Sequence, residues 1–490
     1  MIVFTLFLLV LMLIVSGMAV DFMRFESRRA ELQGVVDRAV LAAADLDQTT
    51  AAEAKDVVID YFTKAGMLDQ LKGDPIVTPG TDYREVTANG ELKLNTYFLK
   101  LIGMDTLTAA ATSTAIEGVG NIEISLVLDI SGSMRYDLVS VDINDQPDGG
   151  PAPTMVDPVT GQTRTVRRID RLQEAAGNFV TTLLSEANED KVSISLVPYS
   201  EHVNPGEDIF NRLSTVRNHG YSHCVEFPAS AYDSTTFDFG TTYQQVQHVQ
   251  MNPHWNGSDW DYSDGTITMP VCPHNDYETI TPLSQNATAL VDQIEDLQPR
   301  AGTSIFLGLK WGATLLDPSF RGAIQNLPSG TIDSAFANRP ADYPGPNTTG
   351  DTRKYIVLMT DGQNDWSDRL HDNVYDTPSE IAHWASMNEP YFRGTYTGWD
   401  SSSNWRYRNY TAAIGDQYMA AMCDAVRDRG IILFAISLGS SSDPVADQRG
   451  WDMMRSCATT ENLFYKTSGS ELVAIFEDIA EQITDLRLTQ

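Results

Sequence analysis

The chain has 490 residues, and its 34 lysines and arginines are outnumbered by 66 aspartates and glutamates, for a formal net charge of −32. Such an acidic surface repels phosphate groups, which argues against nucleic acid as a partner. Hydrophobic residues make up 42% of the chain and aromatic residues 9%. This is enough apolar surface to build a core, so the composition excludes an acidic disordered chain, and the length predicts more than one folding unit.

The first feature along the chain is an apolar run without a charged residue, Ile2–Val20, which ends at Asp21. It is long enough to cross a bilayer as a helix. No lysine or arginine precedes the run and no Ala-x-Ala site follows it, which is unlike a cleavable signal peptide. We therefore predict that residues 1–20 form an uncleaved transmembrane anchor.

A helical stalk is predicted over residues 21–66, because apolar residues recur at helical spacing from Phe22 to about Leu46. Such a helix is either a packing element in an assembly or a simple stalk. Residues 67–120 contain short alternating stretches bounded by Gly80, Gly90 and Gly103, which predicts a small, partly β spacer.

From Asn121 the pattern changes to apolar strands that alternate with helical segments. This alternation is typical of a doubly wound, mostly parallel α/β sheet, and we assign residues 121–490 to one such domain. The predicted strands are Ile122–Ile130, Val192–Val197, Tyr355–Met359 and Ile431–Ile436. The predicted helices are Arg171–Leu184, Ala287–Leu297, Ser304–Leu316, Tyr418–Arg429 and Ser470–Leu486.

The four cysteines indicate an oxidising compartment. None lies in C-x-x-C spacing, and two fall in the middle of the chain and two near its end. We predict the local disulfides Cys224–Cys272 and Cys423–Cys457, with four buried free thiols as the alternative. Arg24, Arg28 and Arg29 would favour a cytoplasmic location for the segment after the anchor. We give the cysteine pattern more weight than these arginines.

Three turns carry oxygen ligands at the ends of predicted elements. The first strand ends in Asp129-Ile130-Ser131-Gly132-Ser133, a second turn contains Thr303, and the strand Tyr355–Met359 is followed by Thr360-Asp361-Gly362. Parallel sheets bind ligands beyond the carboxyl ends of their strands. Oxygen ligands without histidine or cysteine suit a hard cation, Mg²⁺ first, with Ca²⁺ and Mn²⁺ as alternatives.

These turns, D-x-S-x-S, then G-T-S, then T-D-G, resemble the metal-ion-dependent adhesion site (MIDAS) of von Willebrand A domains. The resemblance covers about residues 121–486 and implies a metal site formed by Asp129, Ser131, Ser133, Thr303 and Asp361. Two carboxylates neutralise a divalent cation but leave its coordination unfilled, so a carboxylate offered by a protein or surface could complete it. Long insertions at about 135–167, 201–281 and 335–408 depart from the compact family pattern.

The order of anchor, stalk and A-type domain resembles the TadG-like proteins of the TadE/TadG family of tight-adherence (Flp) pilus systems. Ala42-Ala43-Ala44, Leu101-Ile102-Gly103 and the C-terminal Leu486-Arg487-Leu488-Thr489 add to the resemblance. It implies a bacterial envelope protein, anchored in the inner membrane or incorporated into the pilus, with its large domain periplasmic or extracellular. It would act with other pilus or pilus-assembly proteins, in assembly or at the tip.

Three weaker sequence patterns allow further functional interpretations: a calcium loop, a zinc cluster and a group of aromatic residues. The segment 259–265 is similar to the start of a calcium loop, and His219, His223 and His274 lie near Cys224 and Cys272 as in a zinc cluster. The insertions also carry aromatic residues suited to a recognition rim or to local packing. These are Trp255, Trp260, Tyr262, Trp399, Trp405 and Tyr407.

No hydrolase or nucleotide-binding motif such as G-x-S-x-G, H-E-x-x-H or G-x-x-x-x-G-K-[ST] occurs in the chain. We therefore predict a binding protein and not an enzyme. Two alternatives stay open: a metal-dependent hydrolase, and a structural envelope protein whose cation only stabilises the fold.

Overall fold

The computed structural model describes residues 2–45, 53–79, 83–118, 121–138, 153–157, 160–185, 188–256, 259–343, 352–399, 404–439 and 444–488. The chain forms two compact units. The first comprises residues 1–120 with 485–490, and the second comprises residues 121–484.

The first unit is a long helix packed on a small antiparallel sheet. Its elements are α1 (Ile2–Ala44), α2 (Ala54–Lys64), β1 (Ile76–Pro79), β2 (Tyr83–Asn95) and β3 (Thr106–Gly118), with β2 in the middle of the sheet. The C-terminal half of α1 buries Leu32, Val36, Ala39, Val40 and Ala43 in a core shared with α2, β2 and β3. The predicted helix and the predicted β segment therefore share one core.

Asp21, the first charged residue of α1, is buried at 3% exposure. Its carboxylate accepts the backbone N–H groups of Tyr97, Phe98 and Leu99. These contacts tie the middle of α1 to the segment between β2 and β3. Among the described residues, no helix combines the length and the apolar character of a membrane span, and an anchor at residues 1–20 stays a prediction.

From residue 121 onward, the described residues form fifteen strands and ten α-helices. The strands are β4 (Ile122–Asp129), β5 (Thr154–Val156), β6 (Thr163–Thr165), β7 (Val192–Tyr199), β8 (Thr215–Val216), β9 (Val225–Glu226), β10 (Tyr243–Gln245), β11 (His254–Trp255), β12 (Trp260–Asp261), β13 (Thr281–Ser284), β14 (Arg353–Thr360), β15 (Ser367–Leu370), β16 (Arg406–Tyr410), β17 (Ile432–Leu438) and β18 (Phe464–Thr467). The helices are α3 (Arg168–Leu183), α4 (Gly206–Phe210), α5 (Ala287–Asp296), α6 (Ile305–Thr314), α7 (Arg321–Gln325), α8 (Pro378–Trp384), α9 (Glu389–Phe392), α10 (Ala412–Asp428), α11 (Pro444–Cys457) and α12 (Leu472–Leu488).

A six-stranded mixed sheet forms the centre of this unit, in the order β13-β7-β4-β14-β17-β18. The strands β7, β4, β14, β17 and β18 run parallel, and β13 is an antiparallel edge strand. The four predicted strands correspond to β4, β7, β14 and β17. The described side chains of β4 and β7 are all buried, which explains why they read as nearly continuous apolar runs.

Helix α6 packs closely on the sheet through two glycines. A Cβ at Gly308 or Gly312 would lie less than 3.0 Å from side-chain atoms of Val127 or Tyr199. The Ser125 hydroxyl donates to the Gly312 carbonyl oxygen at 2.7 Å. The unit is therefore an α/β fold with a mixed sheet, and the doubly wound arrangement stays a prediction.

The insertions form small sheets and a separate apolar core. Three of the sheets are β8-β10-β9, β11-β12 and β15-β16. The core contains the disulfide Cys224–Cys272 together with apolar residues such as Val249, Leu370 and Trp384. Parts of the predicted insertions, including 139–152 and 344–351, lie outside the described residues.

Both predicted disulfides are confirmed by the structure. Cys224 pairs with Cys272 and Cys423 pairs with Cys457, and all four residues are buried. The first bond joins two parts of one insertion, and the second joins α10 to the end of α11.

Candidate functional site

Asp129, the last residue of β4, is completely buried. Its carboxylate accepts the Ser131 N–H at 2.7 Å and the Thr360 hydroxyl, also at 2.7 Å. Burial first, and then the nearby Asp361 carboxylate, raise the pKa of Asp129 to about 7. The site therefore gathers negative charge in a place where water cannot screen it.

A chain of hydrogen bonds joins the first turn to the third. The hydroxyls of Ser131 and Ser133 lie 3.1 Å apart, and the Ser133 hydroxyl donates to Asp361 Oδ1 at 2.6 Å. Ser131 and Asp361 are buried. Four of the five predicted positions are thus connected, although 228 residues separate Ser133 from Asp361 along the chain.

The fifth predicted position, Thr303, lies on a loop that docks against the first turn. Gly132 donates its N–H to the Ala301 carbonyl oxygen at 3.0 Å, and the Thr303 carbonyl oxygen accepts the Asp365 N–H at 2.8 Å. A Cβ at Gly132 would lie 2.9 Å from the Ala301 oxygen, so this close approach of the two loops requires glycine. The loop carrying Thr303 therefore bridges the two turns that carry the carboxylates.

Two residues that the sequence prediction did not assign also belong to the site. The Thr360 hydroxyl donates to the Asp129 carboxylate. Arg168, the first residue of α3, places Nη1 2.8 Å from Asp361 Oδ2, and both side chains are buried. Thr360 could have been recognised from its place in the T-D-G turn, whereas no local pattern marks Arg168.

The donor set suits a hard divalent cation. It contains carboxylate and hydroxyl oxygens on three loops, without histidine or sulfur. A cation would offset the burial and the repulsion by Asp361 that together raise the pKa of Asp129. In the described part of the chain, no group of three or more histidines, cysteines, aspartates or glutamates is arranged to hold a metal, and the candidate site relies on two carboxylates supplemented by hydroxyls.

The structure also bears on the two weaker metal interpretations, the zinc cluster and the calcium loop. Cys224 and Cys272 form a disulfide, so they are not thiolate ligands and the zinc cluster is wrong. In the calcium-like segment, Asp261 accepts the Ser263 N–H and Asp264 accepts the Thr266 N–H. These carboxylates stabilise local turns.

Comparison with known proteins gives a family match at the N-terminus. Residues 1–46, which include all of α1, match the family model "Putative Flp pilus-assembly TadE/G-like". The N-terminal helix is thus similar to that of pilus-assembly proteins. No curated protein matches the chain.

Similar solved structures include pilins and pilus-tip proteins. The PilB minor pilin from Streptococcus sanguinis is 15% identical, with 84% of this chain and 77% of that chain covered and a TM-score of 0.31. The vWF domain of the type V pili tip protein Mfa5 from Porphyromonas gingivalis is 12% identical, with 76% and 97% covered and a TM-score of 0.36. The adhesive tip pilin GBS104 from Group B Streptococcus agalactiae is 11% identical, with 75% and 100% covered and a TM-score of 0.36.

Proposed function

We propose that this chain is a pilus-associated envelope protein that binds a partner or surface through a divalent cation held by Asp129, Ser131, Ser133, Thr303 and Asp361. The observation that carries the proposal is the hydrogen-bonded chain from Asp129 through Ser131 and Ser133 to Asp361. It brings two carboxylates and two hydroxyls from distant turns to one place beyond the central strands.

The cation would bind between these oxygens and add positive charge beside Asp129, while Asp361 also pairs with Arg168. Mg²⁺ is the first choice, because it accepts carboxylate, hydroxyl and water ligands together. Two carboxylates neutralise its charge without filling its coordination. An acidic side chain on a partner is the ligand that fits the remaining position, and its affinity depends on how much water leaves on docking.

The envelope location is supported by two features. The N-terminal helix matches pilus-assembly proteins over residues 1–46, and the two disulfides are typical of an oxidising compartment. We place the large unit in the periplasm or outside the cell, with residues 1–20 as the membrane anchor. Other pilus or pilus-assembly proteins are the expected partners of the N-terminal unit.

Surface attachment by cells that carry Ser133→Ala at normal protein level tests this function. The variant removes one hydroxyl and its hydrogen bond to Asp361. Attachment should fall severalfold and should respond less to added Mg²⁺. Asp424→Ala, which changes a carboxylate with 74% of its side chain exposed, is the matched control and should attach normally.

Two outcomes would replace the proposal by its alternatives. If cells with Ser133→Ala at normal protein level attach normally, and the variant only lowers the stability of the purified chain, the cation is structural. If the purified chain hydrolyses phosphate or carboxylic esters with Mg²⁺ or Mn²⁺, and Asp129→Ala abolishes this turnover, the chain is a hydrolase.

A further inference from the structure

A polar cavity opens beside the loop that carries Thr303. Its volume is about 330 Å³, within the range of small-molecule pockets. Its lining includes Gly302 of that loop and Asp365, whose N–H is bonded to the Thr303 carbonyl oxygen. The cavity therefore adjoins the candidate metal site but is built from other side chains.

Exposed aromatic side chains rim the cavity. Tyr262, Trp366 and Trp399 line it and are 53%, 54% and 50% exposed. The rings of Tyr262 and Trp399 meet edge to face, with centroids 5.7 Å apart. Large apolar rings are normally buried, so three half-exposed rings around one polar cavity indicate a surface that a ligand covers.

The positions of these rings are fixed by their neighbours. Trp399 lies against Gly394, where a Cβ would be 2.8 Å from the ring, and the Arg393 guanidinium lies over its face at 5.3 Å. The Arg408 guanidinium lies 5.0 Å from the Trp366 ring centroid. The rim is thus held in place before any ligand arrives, which lowers the entropic cost of binding.

The floor of the cavity offers both acceptors and donors. Glu201, Asp365 and Asp368 supply carboxylates, and Arg393 and Arg406 supply guanidiniums. Asp368 pairs with Arg406 and Arg408, and Glu389 pairs with Arg393 and Arg406, so the charges largely balance and favour a neutral ligand. So polar a lining disfavours an apolar ligand.

We infer that this cavity binds a neutral sugar, a hexopyranose at the end of a glycan. A pyranose hydroxyl both donates and accepts, so it pairs equally well with a carboxylate and with a guanidinium. The C–H face of a pyranose ring is apolar and stacks on an aromatic face. The cavity brings polar groups and half-exposed aromatic rings together, and the inference does not depend on the proposed cation.

The test measures sugar binding by the full chain, kept in a zwitterionic detergent without a sugar headgroup. Saturation-transfer NMR is recorded with methyl α-mannopyranoside, methyl β-galactopyranoside, methyl β-glucopyranoside and N-acetylglucosamine. We expect at least one of these to bind at millimolar concentration. Trp366→Ala and Trp399→Ala should each weaken binding about tenfold or more.

Trp260→Ala is the matched control, because Trp260 lies in the same insertion as Tyr262 and packs edge to face with Trp255 without lining the cavity. It should bind the sugar as the natural chain does. Asp365→Asn keeps the shape of the floor, and it should change which of the four sugars is preferred.

Three results of this experiment would overturn the inference, and a fourth comes from the metal control: no binding of any of the four sugars, binding that survives both tryptophan variants, or selective capture of a lysine-containing peptide by the same cavity. Repeating the measurement with EDTA and with Asp129→Ala separates the two sites. Sugar binding that persists in EDTA and in Asp129→Ala supports a cavity independent of the metal, even if the metal proposal fails. Sugar binding that disappears would place the sugar on the cation and would also overturn the inference.

Discussion

Arg168 and Asp361 form a buried ion pair in the candidate site, with 2.8 Å between Arg168 Nη1 and Asp361 Oδ2. The other oxygen of the same carboxylate accepts the Ser133 hydroxyl. Asp361 thus already has a positive partner on one side. A cation that binds Asp361 must either share the carboxylate with Arg168 or displace the guanidinium.

Replacing Arg168 by methionine should have opposite effects on metal affinity and on stability. Without the nearby positive charge, the Mg²⁺ dissociation constant should fall by about tenfold, because repulsion between cation and guanidinium is removed. The metal-free chain should lose about 3–5 kcal/mol of stability, since Asp361 stays buried without its partner. Calorimetry with Mg²⁺ and urea unfolding in EDTA measure the two effects.

The control for this variant is Arg171→Met on the same helix, where the arginine pairs with the half-exposed Glu174. It should change the free energy of unfolding by less than about 1 kcal/mol and leave metal affinity unchanged. Weaker Mg²⁺ binding in Arg168→Met would contradict the shared-carboxylate account and would instead make Arg168 a support of the site.

Acid should destabilise the insertions through a buried histidine cluster. His248 lies between His219 and His274, with ring centroids 5.9 and 5.7 Å away. Burial first, and then His274, His219 and Arg300, lower the pKa of His248 to about 3. The unfolded chain has an ordinary histidine pKa of about 6.5. Between these values the unfolded chain binds more protons than the folded one, so stability falls as the pH falls through this window.

His248→Asn should flatten this pH dependence. Asparagine keeps a polar partner for the Ser222 hydroxyl, which lies 2.9 Å from His248 Nδ1, but it does not titrate. The slope of unfolding free energy against pH, measured by urea unfolding from about pH 6 to 4, should decrease by up to about 1.4 kcal/mol per pH unit. His371→Asn, at a half-buried position outside this cluster, is the control. An unchanged slope in His248→Asn would show that other groups cause the acid sensitivity.

The disulfide between Cys423 and Cys457 should stabilise the second unit. It closes a segment of 34 residues between α10 and α11. The double variant Cys423→Ser and Cys457→Ser should lose about 2–5 kcal/mol, because the unfolded chain gains freedom. Urea unfolding with and without reductant measures this. If unfolding of the double variant matches that of the oxidised natural chain, the bond has no stabilising role.

Much of the central sheet could be predicted from the sequence, because its strands are buried on both faces and read as apolar runs. The edge strands β13 and β18 could not be predicted from the sequence. Each has four residues, and Pro282 interrupts the strand pattern in β13. The helix α10 begins six residues before the predicted start at Tyr418, where the Thr411 hydroxyl accepts the Ile414 N–H as an N-cap.

The sequence allowed the candidate residues of the site to be placed near one another, but it did not predict what surrounds them; their role as metal ligands stays a prediction. Asp129, Ser131 and Asp361 lie at or just beyond the carboxyl ends of β4 and β14, which are neighbouring parallel strands, so their turns had to meet at one edge of the sheet. Arg168 reaches Asp361 only because of how α3 is oriented after a long insertion, and no periodicity encodes that. The cavity beside Gly302 combines Glu201, Tyr262 and Trp399, which come from two insertions whose packing has no sequence signature.

The measurement that tests the central claim most directly is a calorimetric titration of the metal-free full chain with Mg²⁺, Mn²⁺ and Ca²⁺. The natural chain should bind one divalent cation, and Ser131→Ala and Asp361→Ala should each weaken that binding by about tenfold or more. Ser456→Ala, at an exposed position, should bind as the natural chain does. Absence of binding by the natural chain, or binding that both site variants retain in full, would contradict a metal site at the ends of these strands.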